Sequence, residues 1–219
     1  MVFDLFHTLL SGDDEQRDAV VRQMAGVLGV EPEALVRAYR ETWRSRLTVW
    51  DVEQTIRILA GGLGAEPTDA QVEEAVALRQ GLAVRVLAAV PSSTVDTLRS
   101  LRAAGWRTGL VSNATADAAE AWPASPLSPL IDAAVFSCEV GLAKPAPGIY
   151  LSATEALGAE PAECVFVGDG ADDELAGAAA LGMTVIRTLE YHDNDPAWRG
   201  PTIAALPELP ARLGAPDRV

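Results

Sequence analysis

The stretch Cys164-Val165-Phe166-Val167-Gly168-Asp169-Gly170-Ala171-Asp172-Asp173-Glu174 decides how the rest of the chain is read. Residues 164–167 are apolar and rich in β-branched and aromatic side chains, the mark of a short buried strand. Two glycines then allow a tight turn, and four acids fall within the six residues 169–174. Carboxylates packed this densely are uncomfortable without a cation, and oxygen ligands suit Mg²⁺. The last acids also favour the start of a helix expected over 175–181 and closed by Gly182. Asp169 is therefore assigned to a metal, with Asp173 or Glu174 shared between metal and helix start.

Working outward, the same strand–turn–helix rhythm recurs. Val2-Phe3-Asp4-Leu5-Phe6 is a short apolar run broken by one acid. Further strands are expected at 108–111, at 133–136 and, as the last one, at 184–186. Helices are expected over 93–104 and 149–157, with one more over the tail 203–213. Strands alternating with helices imply a parallel sheet covered on both faces, hence an α/β fold. Polar residues sit at several strand ends: Asp4, Ser112-Asn113 and Gly168-Asp169. In open α/β sheets that edge is where ligands bind.

Between the first two strands, from about 14 to 90, every pattern is helical. Ala19, Val20, Gln23, Met24 and Val27 follow i, i+3, i+4 spacing up to Gly29. Glu31-Pro32-Glu33 opens a second helix, a third is expected over 49–60, and Thr68 with Gln71 makes a capping box for a fourth. Such an insert would sit directly above the ligand edge.

Composition narrows the function. The chain has 219 residues, 49% hydrophobic and 22% charged, with a net charge of −14. So acidic a surface repels phosphate backbones, which argues against nucleic acid as a partner. No uninterrupted apolar run reaches the ~18 residues of a membrane span, and the N-terminus carries no basic leader. Cys138 and Cys164 are too few for a disulfide framework and read as reduced and mostly buried. A cytoplasmic protein acting on a small molecule, as monomer or homodimer, is the expectation.

Four places could carry chemistry. Asp4 would be costly at the end of an apolar strand unless it is paired or metal-bound. Lys144 is the sole lysine of the chain and precedes the rigid Pro145-Ala146-Pro147, so it could neutralise carboxylates and bind an anion. Ser112-Asn113 offers donors suited to an oxyanion, or a plain helix cap. The fourth is the acidic turn after residue 168. Tyr191-His192-Asp193-Asn194-Asp195 reads as a solvated turn rather than a second metal site, and Trp106 and Trp122 as packing residues.

Taken together, Phe3-Asp4-Leu5-Phe6-His7-Thr8, Leu110-Val111-Ser112-Asn113, Lys144-Pro145 and Val167-Gly168-Asp169 through Asp173-Glu174 resemble, in order and spacing, the four motifs of the haloacid dehalogenase superfamily. The resemblance covers essentially the whole chain. It implies a Rossmann-like parallel core from 1–11 and 89–219, with residues 12–88 as an inserted α-helical cap. It also implies that Asp4 attacks the substrate to form a covalent aspartyl intermediate. Mg²⁺ would be held by Asp4, the Phe6 carbonyl and Asp169, with Asp173 or Glu174 acting through water. Ser112, Asn113 and Lys144 would hold the transferring group. Cap hinges are expected near Ser11-Gly12 and Ala89-Pro91.

One position departs from the pattern. Phosphatases of this family carry a second aspartate, an acid/base, where this chain has Phe6. Histidine is the usual acid/base side chain at neutral pH, so the neighbouring His7 could substitute. Three readings stay open: a Mg²⁺-dependent phosphatase of a small phosphorylated metabolite, favoured by the intact acidic turn; a 2-haloacid dehalogenase-like hydrolase, favoured by the aromatic Phe6; and a catalytically weak phospho-ligand binder. In the cap, Arg40, Arg44, Arg46 and Arg79 are candidates to meet a distal anion and Trp43 and Trp50 to shape a pocket, with Arg46 and Trp43 preferred.

Overall fold

The computed structural model describes residues 1–12 and 14–213. Strand β1 (Val2–Phe3) leads into five helices: α1 (Asp14–Leu28), α2 (Pro32–Glu41), α3 (Trp43–Thr48), α4 (Val52–Gly62) and α5 (Asp69–Ala88). Then come α6 (Ser92–Ala103), β2 (Gly109–Ser112), α7 (Ala116–Ala121), β3 (Ala133–Phe136), α8 (Ser137–Val140) and α9 (Pro147–Ala156). The chain continues through β4 (Val165–Gly168), α10 (Glu174–Ala180), β5 (Thr184–Thr188), β6 (Thr202–Ile203) and α11 (Leu209–Leu213). The six strands form one parallel sheet in the order β3-β2-β1-β4-β5-β6.

Because side chains alternate across a strand, each short apolar run feeds both faces. Phe3, Leu110, Val165 and Val167 point into one cluster with Leu98 and Leu101 of α6. Val2, Val111 and Phe166 point into the opposite one with Ile149, Tyr150 and Ala153 of α9. A fully buried side chain of this size contributes about 1.5–3 kcal/mol, so the sheet is the main stabilising layer. A third cluster joins Val21 and Met24 of α1, Leu35 of α2, Ile56 of α4 and Val72 and Leu82 of α5. Helix α5 belongs to two clusters, since its Ala83 and Leu87 pack with the sheet.

The helix starts follow the sequence closely. Thr68 accepts from Gln71 N and Gln71 reaches back to Thr68 N at 3.0 Å, the expected capping box. The helix expected over 49–60 begins instead at Val52, because Asp51 and Gln54 form a second capping box. Residues 43–48 make a separate short helix. At the other end, β5 is not the last strand: Thr202–Ile203 pairs beside it. The expected tail helix therefore shrinks to Leu209–Leu213 after a 3₁₀ turn. Both cysteines are free; Cys164 is buried, and Cys138 is partly buried against the core. Among the described residues, no single helix is long and apolar enough to cross a membrane.

Candidate active site

Parallel register brings the first and fourth motifs together. Phe3 pairs with Val167, so Asp4 and Gly168 leave the sheet side by side, and Asp4 N donates to Val167 O at 2.9 Å. β1 is also where the strand order reverses, with β2 on one side and β4 on the other. Open α/β sheets bind ligands in the crevice at such a point.

Three carboxylates converge in that crevice. Oxygens of Asp4, Asp169 and Glu174 lie within 4.8 Å of one another, and all three side chains are buried. Glu174 reaches in because Gly168 has no side chain; a Cβ there would stand 2.1 Å from Glu174 Oε1. Asp169 is fixed from two sides, its Oδ1 accepting from Ala171 N at 3.0 Å and its Oδ2 from Asn194 Nδ2 at 2.6 Å. Glu174 Oε1 accepts from Gly170 N at 3.1 Å. Asp173 is exposed, stands outside the cluster and, like Asp172, adopts a left-handed backbone. That local twist turns Glu174, rather than Asp173, toward Asp4.

Lys144 closes the cluster. It is 3% exposed, and its Nζ donates to Asp4 Oδ1 and, at 2.5 Å, to Glu174 Oε2. Asn113 holds the lysine backbone, its Oδ1 accepting from Lys144 N at 2.7 Å and its Nδ2 donating to Lys144 O at 3.2 Å. Ser112 is fully buried at the end of β2, and its Oγ has no hydrogen-bond partner among the described residues.

Charge and burial oppose each other here. Burial pushes the Asp4 carboxyl above its ordinary range, Lys144 pulls it down, and Asp169 pushes it up again. Glu174 is pushed up to about 8, first by burial and against the pull of Lys144. Burial works against the Lys144 ammonium too, but Asp4 and Glu174 overcome it and hold its pKa above the usual value. Three buried carboxylates thus share one ammonium, and a second cation would complete the balance. An all-oxygen, closely spaced donor set is what Mg²⁺ takes, so these residues fit that ion.

Above the cluster lies a cavity of about 170 Å³, bordered by Asp4, Asn113 and Lys144, by Phe6 and His7, and by α5. Trp43 also borders it. Arg46 does not: it is buried, its guanidinium lies 3.6 Å from the Tyr39 ring centroid, and it lines a smaller neighbouring cavity with Trp50. His7 adopts a left-handed backbone (φ +60°), a conformation that histidine tolerates better than most side chains. Its Nδ1 accepts from Gly12 N at 3.4 Å.

The sequence reading missed the loop after β5. His192 meets the His7 ring edge-on at 4.6 Å, and Asn194 holds Asp169. Arg187 anchors the loop through Asp193 at 2.6 Å and the Asp195 carbonyl. Residues 192–194 are exposed, as a solvated turn should be, but the turn folds back so that His192 and Asn194 reach the site. The only available signal was a run of polar side chains after a strand, which does not say where a loop folds back.

The haloacid dehalogenase-like hydrolase family matches residues 1–181 of the chain. A glyceraldehyde 3-phosphate phosphatase from Methanopyrus kandleri is 31% identical over 64% of this chain, and the match spans 60% of that relative's length. An (S)-2-haloacid dehalogenase 4A from Burkholderia cepacia is 29% identical over 90% of this chain and 85% of its own. Among solved structures, a HAD phosphatase from Thermococcus onnurineus shares the fold with a TM-score of 0.70 at 23% identity, covering 98% of this chain and 97% of that one. With a six-stranded parallel sheet, acids at its switch point and a family match over most of its length, the chain belongs to the haloacid dehalogenase-like hydrolases.

Proposed function

We propose that the protein is a Mg²⁺-dependent phosphatase acting on a small phosphorylated metabolite through an aspartyl-phosphate on Asp4. The observation that carries this reading is the convergence of Asp4, Asp169 and Glu174 beside a buried Lys144. Asp4 and Asp169 would hold the ion with Glu174. Bound there, Mg²⁺ would neutralise charge on the transferring group.

Asp4 attacks phosphorus, and the bond from phosphorus to the leaving oxygen breaks. Lys144 Nζ and Ser112 Oγ, the latter without a partner among the described residues, stabilise the phosphoryl oxygens. The leaving oxygen takes a proton. Phe6 stands where family phosphatases carry the second aspartate, so the donor falls to His7. His7 donates from Nε2 as the imidazolium, a form in which Gly12 N gives up its 3.4 Å contact with Nδ1. Water then attacks phosphorus, gives its proton back to His7, and so releases phosphate and restores Asp4. Residues 12–88 serve as a cap whose closure excludes bulk water.

A second reading is a 2-haloacid dehalogenase-like enzyme. Phe6 favours it, because a halide leaves without a proton and the aromatic ring borders the cavity. The Burkholderia cepacia relative points the same way. A panel of phosphate esters and 2-haloacids, assayed with Mg²⁺ and with a chelator beside Asp4→Asn, decides. Phosphate release that needs both Mg²⁺ and Asp4 supports the phosphatase. Metal-independent halide release overturns it.

A further inference from the structure

The cavity has a second charged feature, on its α5 wall. Arg79, Leu82, Ala83, Val86 and Leu87 border it at i, i+3, i+4, i+7 and i+8, one face of the helix and a stripe about 12 Å long. Leu87 joins the sheet cluster that contains Phe3 and Leu5, while Arg79 marks the far end of the stripe. Arg79 is 7% exposed. Its Nη2 donates to Asp117 Oδ2 at 2.6 Å, and Thr115 Oγ1 holds the other Asp117 oxygen at 2.6 Å. Tyr39, whose ring lies 5.4 Å from the guanidinium, is its other polar neighbour, and among the described residues its Nε and Nη1 have no hydrogen-bond partner.

Arg46 stands behind the same tyrosine. It is 3% exposed and donates from Nη2 to Tyr39 O at 2.5 Å, and its Nε and Nη1 have no hydrogen-bond partner among the described residues. The smaller cavity is bordered by both arginines and by Asp117. Asp51 borders it too, but its carboxylate caps α4 through Gln54 N. Two buried guanidinium groups therefore face one committed carboxylate and one tyrosine, and among the described residues four of their nitrogens have no hydrogen-bond partner. Buried donors left unpaired cost free energy, and native proteins rarely tolerate them in number. Arg17, also at the cavity, is different: it is half-exposed and pairs with Asp14 at 2.9 Å.

We propose that Arg79, held by Asp117 and reinforced by the charge of Arg46, binds a second oxyanion of the substrate, so that the cavity takes a small molecule charged at both ends with a short apolar link lying along Leu82, Ala83 and Val86. This deepens the phosphatase reading and rests on it for the identity of the first anion. At about 170 Å³, the cavity holds about five or six water-sized groups at ~30 Å³ each. The second oxyanion is a carboxylate or a phosphate on a two- or three-carbon chain.

The test uses three phosphate esters of similar length: 2-carboxyethyl phosphate, propane-1,3-diyl bisphosphate and propyl phosphate. The wild type is expected to show at least tenfold higher kcat/KM for one or both of the doubly charged esters, mostly through KM. Which of the two wins identifies the anion. Arg79→Gln alone strands Asp117, so the working variant is Arg79→Gln/Asp117→Asn, with its fold checked by circular dichroism and Arg46→Met as an independent second. In both, the preference ratio should fall toward one.

Binding of 3-phosphonopropanoate against butylphosphonate, by calorimetry with Mg²⁺, repeats the comparison without turnover. Equal use and equal binding of charged and uncharged pairs by the wild type overturns the proposal, as does a ratio unchanged in both variants. Tight, Arg79-dependent binding of 3-phosphonopropanoate with no ester hydrolysed leaves the subsite standing and overturns the phosphatase reading instead.

Discussion

Replacing Lys144 by methionine keeps the volume of the side chain and deletes the single positive charge among three buried carboxylates. Lys144, Asp4 and Glu174 are all 6% exposed or less, so solvent screening does little to soften the loss. Like charges 4.8 Å apart repel by about 3–4 kcal/mol at an effective dielectric near 20. Removing one partner of a buried ion pair costs about 3–5 kcal/mol in general. Protonation of a carboxylate caps the penalty, which places the expected loss at about 3–5 kcal/mol at pH 7.5 in chelator. In a chain of this length that is roughly 6–20 °C in Tm.

Urea melts of wild type, Lys144→Met and Lys144→Met/Glu174→Gln read this directly. The single variant should lose most at pH 7.5 and less at pH 5, because Glu174, pushed up to about 8 in the folded state, takes a proton there. The double variant should recover a large part of the loss. A loss below about 1 kcal/mol at pH 7.5, or an equal loss at both pH values, would refute the view that Lys144 neutralises this cluster.

Three further outcomes are expected. Glu174 titrates near 8 in the folded protein, above the ~4.3 of a free side chain. Its raised pKa means stability that is present below about pH 4.3 and lost as pH climbs to 8. Thermal melts in chelator should therefore decline across that window, and millimolar Mg²⁺ should flatten the decline. Asn194→Leu frees one oxygen of Asp169 and should raise the Mg²⁺ concentration needed for half-maximal thermal stabilisation by about 10–100-fold, the usual cost of losing a partner that orients a metal ligand. His7→Ala should slow esters with poor leaving groups by about 10²–10⁴-fold, the worth of general acid help, and acyl phosphates much less; equal slowing of both would remove His7 as the proton donor.

The sheet and most helix starts were legible because they rest on local chemistry. Val165-Phe166-Val167 could only be a buried strand before Gly168, and Thr68 with Gln71 announces its helix. Asp4, Asp169 and Lys144 were legible because each breaks the logic of its surroundings: acids at the ends of apolar strands and a lone lysine. What failed depends on distance in the chain. Asn194 reaches Asp169 across 25 residues, and His192 meets a ring near the other terminus; neither leaves a periodic trace. The preference for Arg46 over Arg79 was misplaced, because helical spacing says which face a residue is on and not which cavity that face borders. The choice between Asp173 and Glu174 turned on two left-handed backbone positions that no propensity for aspartate announces.

The placement of Lys144 reaches beyond catalysis. Every other cationic side chain in the sequence is an arginine or a histidine, so the folded surface offers no ε-amine to acylating labels, aldehyde crosslinkers or lysine-directed acetylation. A reagent of that kind would modify Lys144 only when the crevice opens or the chain unfolds. Mass shift on that single peptide would then clock the opening of the crevice, with no engineered probe and no competing lysine elsewhere in the sequence.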